Sequence, residues 1–212
     1  EWGAEADAYA AELRSFVEGQ MTPDIEAKKH HSTAGHHPGF HKKLAEAGHA
    51  YPDLGADGQK VRSRYEVMAA APMWEDIGWT RTPLAVTEFV AKMAQLWSQP
   101  ETKEEIVGAI ARGEALGALG FSEPQSGSDV FGTKFSAVRE GDEWVLNGQK
   151  MFTTNGHQAD YILMLTRTDN SGKKHQGLTM FIMPMKLPGI ELHPVYTLQD
   201  EKTNITYFTD VR

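Results

Sequence analysis

The hydrophobic period of this chain changes once, near residue 115. Upstream, apolar residues return every three or four positions, the repeat of a helix face. Downstream they alternate with polar residues or form short blocks, the repeat of strands. One element cannot satisfy both periods, so the chain divides. The reading is α+β: an all-α domain over residues 1–113, then a β-domain over residues 114–212. Each part is close to the size at which a domain carries its own core.

The helical stripes can be read in order. Trp2, Ala6, Tyr9, Leu13 and Phe16 predict a first helix. Phe40, Leu44 and Ala47 predict another, opened by Pro38 and closed by Gly48. Val61, Tyr65 and Met68 begin a third, which Pro72 should kink or end. Val86, Val90, Met93 and Trp97 make a fourth, stopped by Pro100, and Ile106, Val107 and Ile110 a fifth, ending near Gly113. All read as core positions, because packing alone demands such stripes.

In the second part Phe135 and Ala137 alternate with polar neighbours, EGDE turns, and WVLNG returns as the partner strand. YILMLT, LTMFIM, IELHPVY and ITYFTDV come next as strand-forming runs. Strands at this spacing, with no helices between them, predict a small antiparallel barrel or sandwich. Asn147-Gly148 and Asn155-Gly156 both signal turns, on either side of QKMFTT.

Composition excludes several functions. A net charge of −8 repels nucleic-acid phosphates, so no nucleic-acid partner is expected. The absence of cysteine removes disulfide and thiolate chemistry and fits a reducing compartment. No apolar run is long enough to span a bilayer and no signal peptide opens the sequence, so the expectation is a cytoplasmic protein without membrane insertion. Residue 1 already sits inside a helical pattern and residue 212 directly follows a strand-like run. The sequence therefore reads as part of a longer protein.

Motif absences narrow the field further. No G-x-G-x-x-G, P-loop or G-x-S-x-G occurs, which removes the easy routes to nicotinamide, ATP and acyl-serine chemistry. His30, His31, His36, His37 and His41 crowd together, yet without H-E-x-x-H or a spaced ligand set they read as surface residues at a helix entrance, and no metal site is assigned. Asn204-Ile205-Thr206 is a sequon read as accidental without a secretory signal.

One loop stands apart. Residues 121–132, FSEPQSGSDVFG, succeed the apolar run ALGALGF and bring together Pro124, three serines, Gly127 and Asp129. Such a segment serves as an ordinary turn, or lets backbone approach a ligand where Gly127 can take positive φ. Asp129 reads as a cap on nearby amides and Glu123 as a structural carboxylate.

A second segment, downstream of the loop, decides between those uses. LGFSEPQSGSDVFG and then WVLNGQKMFTTNGHQADYILMLTRT, in that order and spacing, resemble the acyl-CoA dehydrogenase family, whose segments run close to TEPGAGSD and NGxKxWITNG. NITYFTDVR resembles the strand that closes the family's middle β-domain. The resemblance implies FAD. It places Leu119, Phe121 and Ser122 along the flavin ring, with the Ser122 hydroxyl and amide as donors. Gly127 and Ser128 fall on the FAD phosphates, and Ser128 also on the acyl-CoA substrate. Phe152, Thr153 and Thr154 match W-I-T, the aromatic packing on the flavin and the Thr154 hydroxyl lying near N5. Three departures are visible: Phe152 replaces Trp, Gln125-Ser126 replaces Gly-Ala, and HAYPDLGADGQK lacks a Gly-Gly turn.

The implied reaction is α,β-dehydrogenation of an acyl-CoA thioester to the trans-2-enoyl-CoA, with electrons passed to an electron-transfer flavoprotein. The family's base is a Glu in a C-terminal helical domain that this sequence does not contain, so no catalytic residue is assigned. The resemblance further implies a homo- or hetero-oligomer, a dimer of dimers. Acyl-CoA oxidase, flavin monooxygenase and a non-catalytic partner subunit share the same domain pair and stay open. A β-domain binding an acyl chain or peptide without redox work is the reading that owes nothing to the family.

Overall fold

The computed structural model describes residues 2–31, 36–56, 59–198 and 202–212. Its chain forms two compact units, residues 1–115 and 116–212.

The described part of the first unit contains helices α1 (Ala4–Gln20), α2 (Pro23–His31), α3 (Pro38–Glu46), α4 (Arg64–Ile77), α5 (Thr82–Trp97) and α6 (Pro100–Ala111). α2 has no apolar stripe to betray it; Pro23 at its start and Asp24 and Glu26 in its first turn set it instead. α1 buries Ala6, Tyr9, Leu13 and Val17, while Trp2 precedes the helix and is exposed. α3 buries Phe40 and Leu44 together with His41 and Ala45. His41 is thus a core residue, not the surface one expected. The His30 and His31 side chains lie outside the described set.

Two stripes need correction. In α4, Tyr65 and Met68 are exposed, and so is Val61 ahead of the helix; the buried face is Glu66, Ala70, Met73 and Trp74. Ser63 and Glu66 explain the shift, because their reciprocal capping box fixes the helix start and turns Glu66 inward. Pro72 neither ends the helix nor enters its core: it sits on the exposed side, where water can serve the carbonyl that loses its donor. In α5, Leu84, Thr87, Val90, Ala91 and Ala94 are buried, whereas Trp97 is 81% exposed. α6 buries Ile106, Val107 and Ile110 as expected.

The second unit holds strands β1 (Gly117–Gly120), β2 (Ser136–Glu140), β3 (Glu143–Lys150), β4 (Tyr161–Arg167), β5 (Leu178–Pro184), β6 (Ile190–Tyr196) and β7 (Lys202–Val211). They make one sheet in the order β1-β4-β2-β3-β7-β6, with β5 also paired to β4. The sheet is mixed, not the antiparallel one expected. β1 runs parallel to β4 with Gly117 opposite Tyr161, and β2 meets β4 in parallel at Ser136 and Arg167. The loop and the β2–β3 hairpin between β1 and β4 provide the long crossover that parallel pairing needs. All other pairings are antiparallel.

Phe135, Ile162, Met164, Phe208 and Val211 lead the core of this unit, Phe135 and Phe208 meeting edge-on at 5.1 Å. Gly141 closes the β2–β3 hairpin at φ +65°. Asn147-Gly148 does not turn the chain; it forms a bulge inside β3, where a Cβ on Gly148 would lie 2.9 Å from the Phe135 ring. Asn155-Gly156 does turn it, with Asn155 at φ +65°.

Candidate functional site

β1 delivers the chain into the serine-rich loop. Glu123 N donates to Ser126 O at 2.8 Å and Ser126 N to Glu123 O at 3.1 Å, closing Pro124-Gln125 into a tight turn. Ser126 is buried and its Oγ donates to Asp129 O at 2.5 Å. Beyond the turn Gly127 and Ser128 are exposed. Asp129 does not cap the loop through its side chain; it pairs with Lys174 instead. Arg167 ties the same region down, donating to Phe131 O at 2.7 Å and Gln176 O at 2.6 Å.

The second segment leaves the end of β3. Met151 N donates to Ser122 O at 2.8 Å, so the loop and the Phe152–Thr154 stretch are neighbours. That stretch is irregular backbone that enters a turn at Thr154. Phe152 adopts φ +57° and is 61% exposed. A bulky residue in the left-handed region with its ring in solvent is unfavourable on both counts. Thr153 is fully buried, its N donating to Asn204 O and its O accepting from Asn204 Nδ2, both at 2.9 Å. Its hydroxyl has no hydrogen-bond partner among the described residues. Thr154 is half-buried, and its hydroxyl makes a long 3.4 Å contact with Phe152 O.

Leu119, Phe121 and Ser122 are half-buried where β1 runs into the loop. Gly127 and Ser128 follow the Glu123–Ser126 turn directly and are exposed. Gly127 does not take positive φ, contrary to one use considered for it, and a Cβ there would meet nothing within 4 Å. Neither φ nor crowding inside the chain requires glycine at this point. Open space in front of a glycine is what close approach of a ligand to backbone needs.

Beneath the loop lies a buried ion pair that the motif reading passed over. Lys150 and Glu123 side chains are 0% and 2% exposed, and Lys150 Nζ donates to Glu123 Oε1 at 2.8 Å. Nζ also reaches Leu165 O at 2.7 Å, Thr133 Oγ1 at 3.1 Å and Phe121 O at 3.3 Å. Glu123 additionally accepts from Thr133 Oγ1, Lys134 N and Phe135 N. Burial opposes charge on both partners. On Glu123 it is outweighed by the Lys150, Thr133 and Lys134 hydrogen bonds, which leave the carboxyl below its usual pKa. On Lys150 burial prevails and lowers the pKa of the ammonium. The acceptors crowding Nζ hold its proton in place, so the charged pair is the resting state. The sequence offered one signal, that Glu123 and Lys150 stand at the Glu of TEPGAGSD and the Lys of NGxKxWITNG.

The comparisons with known proteins fall on the same residues. The profile of the acyl-CoA dehydrogenase middle domain matches residues 118–211, nearly all of the second unit. Residues 118–211 thus resemble the middle domain of acyl-CoA dehydrogenases. Acyl-CoA dehydrogenase FadE29 of Mycobacterium tuberculosis is 38% identical over 131 residues, 61% of this chain and 34% of that protein. The ChsE4-ChsE5 complex from the same organism superposes on this chain with a TM-score of 0.84 at 28% identity, covering 100% of this chain and 55% of that one. A glutaryl-CoA dehydrogenase from Mycobacterium smegmatis, solved with FADH2, shares the fold at TM-score 0.82 and 24% identity over 99% of this chain and 54% of its own. The chain thus spans between a third and a little over half of these three proteins. Among the described residues no three His, Asp or Glu side chains come together as a metal site, and no helix is long and apolar enough to cross a membrane.

Proposed function

We propose that this chain supplies the helical and middle β-domains of a cytoplasmic, FAD-dependent acyl-CoA dehydrogenase, which forms a trans-2-enoyl-CoA and hands electrons to an electron-transfer flavoprotein. One observation carries the reading: the Met151–Ser122 hydrogen bond sets an exposed, left-handed Phe152 beside a loop whose glycine faces open space. A strained, solvent-facing ring on a rigid base is better explained by a flat partner than by the fold alone.

The residues fit an isoalloxazine and its diphosphate. Phe152 forms an apolar wall, with Leu119 and Phe121 flanking it. Ser122 and Thr154 supply donors to the ring's polar rim. Gly127 and Ser128 offer amides and a hydroxyl to phosphate, Ser128 facing the acyl-CoA as well. Thr153 takes part through the backbone, since its side chain is enclosed. Bound FAD supplies the acceptor for the substrate's β-hydrogen and its electron pair. Removal of the α-proton is assigned to no residue here: Glu123 is committed to Lys150 and to two amides, and Asp129 to Lys174.

The test uses the full-length protein. It should purify yellow, and its flavin absorbance should bleach when an acyl-CoA is added without air. Reoxidation by an electron-transfer flavoprotein but not by air supports a dehydrogenase, whereas rapid reaction with air supports an oxidase or monooxygenase. A colourless protein that takes up no added FAD would defeat the reading. A hetero-oligomer is a second proposal, favoured because the ChsE4-ChsE5 neighbour is a complex of two named chains; light scattering on the protein purified alone and with a candidate partner chain decides it.

A further inference from the structure

We infer that the buried Lys150–Glu123 pair is a positioning device, locking the two flavin-facing segments to one another before any ligand arrives. This rests on the FAD reading proposed for the site. Lys150 is the last residue of β3, directly ahead of Met151 and Phe152, and Glu123 directly follows Ser122. The single Nζ spans both: it bonds the Phe121 carbonyl and the Glu123 carboxylate on the loop side, and the Leu165 carbonyl of β4 behind. Glu123 in turn gathers Thr133 Oγ1 and the Lys134 and Phe135 amides, fixing where the loop returns to the sheet. Phe135 closes the site on the other side, its ring centroid 5.1 Å from Nζ.

Stability alone gives little reason for such a pair. Two charges taken out of water lose solvation that their attraction barely restores, and well-packed apolar replacements are often neutral or stabilising. What an apolar pair cannot do is hold two carbonyls and a carboxylate at fixed distances. The pair therefore sets the register between Ser122 and Phe152. Neither side chain touches a ligand, because both are enclosed.

The test measures FAD affinity, the visible circular dichroism of bound flavin, and thermal midpoints without FAD, in the full-length protein. In Lys150→Met/Glu123→Leu, which removes both charges together, the apoprotein should stay folded with a lowered midpoint, since the Lys134 and Phe135 amides and the Phe121 and Leu165 carbonyls lose their partners. Its FAD Kd should rise about ten-fold or more, with an altered flavin dichroism band. Glu123→Gln is the second arm, being the isosteric change least able to unfold the unit; it should weaken FAD binding several-fold and shift the same band. Wild-type affinity and dichroism in either folded variant overturns the inference while the FAD reading stands. A wild-type protein that binds no FAD overturns both.

Discussion

Phe152 is held at φ +57° with most of its ring in water. The left-handed conformation costs a non-glycine residue about 1–2 kcal/mol, and glycine escapes most of that cost. Phe152→Gly should therefore stabilise the ligand-free protein by about 1 kcal/mol in denaturant unfolding, while weakening FAD binding by titration. The opposite signs separate a ligand wall from a packing residue, and loss of stability with unchanged affinity would sink the assignment. His41 poses a different question at this scale. Burial, and secondarily the neighbouring His36, lowers its pKa from 6.5 to about 4. Its Nε2 lies 2.6 Å from the Tyr51 hydroxyl. Between those two pH values the unfolded chain takes up a proton that the folded chain refuses. The stability tied to neutral His41 is complete above pH 6.5, falls as the pH drops, and levels off below 4. The size is about 3 kcal/mol. Unfolding free energies at pH 7 and pH 4.5 should diverge by less in His41→Gln than in wild type, and equal divergence refutes the role.

At the level of elements, α4 depends most visibly on its first turn. Ser63 Oγ accepts from Glu66 N at 3.2 Å and Glu66 Oε2 accepts from Ser63 N at 2.7 Å. Ser63→Ala should cost about 1 kcal/mol by chemical denaturation. The Ser63 amide, with Arg62 and Lys60 assisting, lowers the Glu66 pKa from 4.5 to about 2. That contribution is whole above pH 4.5 and is lost as the pH falls toward 2; an acid unfolding curve of Glu66→Gln lacking this segment would confirm it. The same helix shows how far sequence reading reaches. Tyr65 and Met68 have the right spacing for a core stripe, yet a buried Glu66 held by Ser63 turned the helix one residue away from them. IELHPVY was legible as Ile190–Tyr196, because its strand signal is local. The parallel β1–β4 pairing was not, since it joins residues 44 apart and leaves no mark on either run. Ser122 and Phe152 were readable as partners through the family motifs; Glu123 and Lys150 stand in the same two motifs, yet nothing in either motif marks them as a pair, because they lie 27 residues apart and meet only in the fold.

On the scale of the whole molecule, the second unit satisfies its own needs. Its core, led by Phe135, Ile162, Met164 and Phe208, is drawn from residues 118–211 alone. Its buried ion pair, Lys150 with Glu123, is also internal, and half-buried Asp160 accepts from Leu116 N at 3.1 Å. Residues 116–212 are near the usual domain size. Expressed alone, this fragment should unfold in one cooperative thermal transition and give dispersed amide resonances; a melt without a sigmoid step refutes the self-sufficiency of its core. The fragment also carries every residue assigned to the flavin. If those contacts suffice, FAD at a hundred times its Kd should add about 2.7 kcal/mol by mass action and raise the midpoint. A folded fragment that shows no shift, beside a full-length protein that binds FAD, would place the decisive contacts outside these strands.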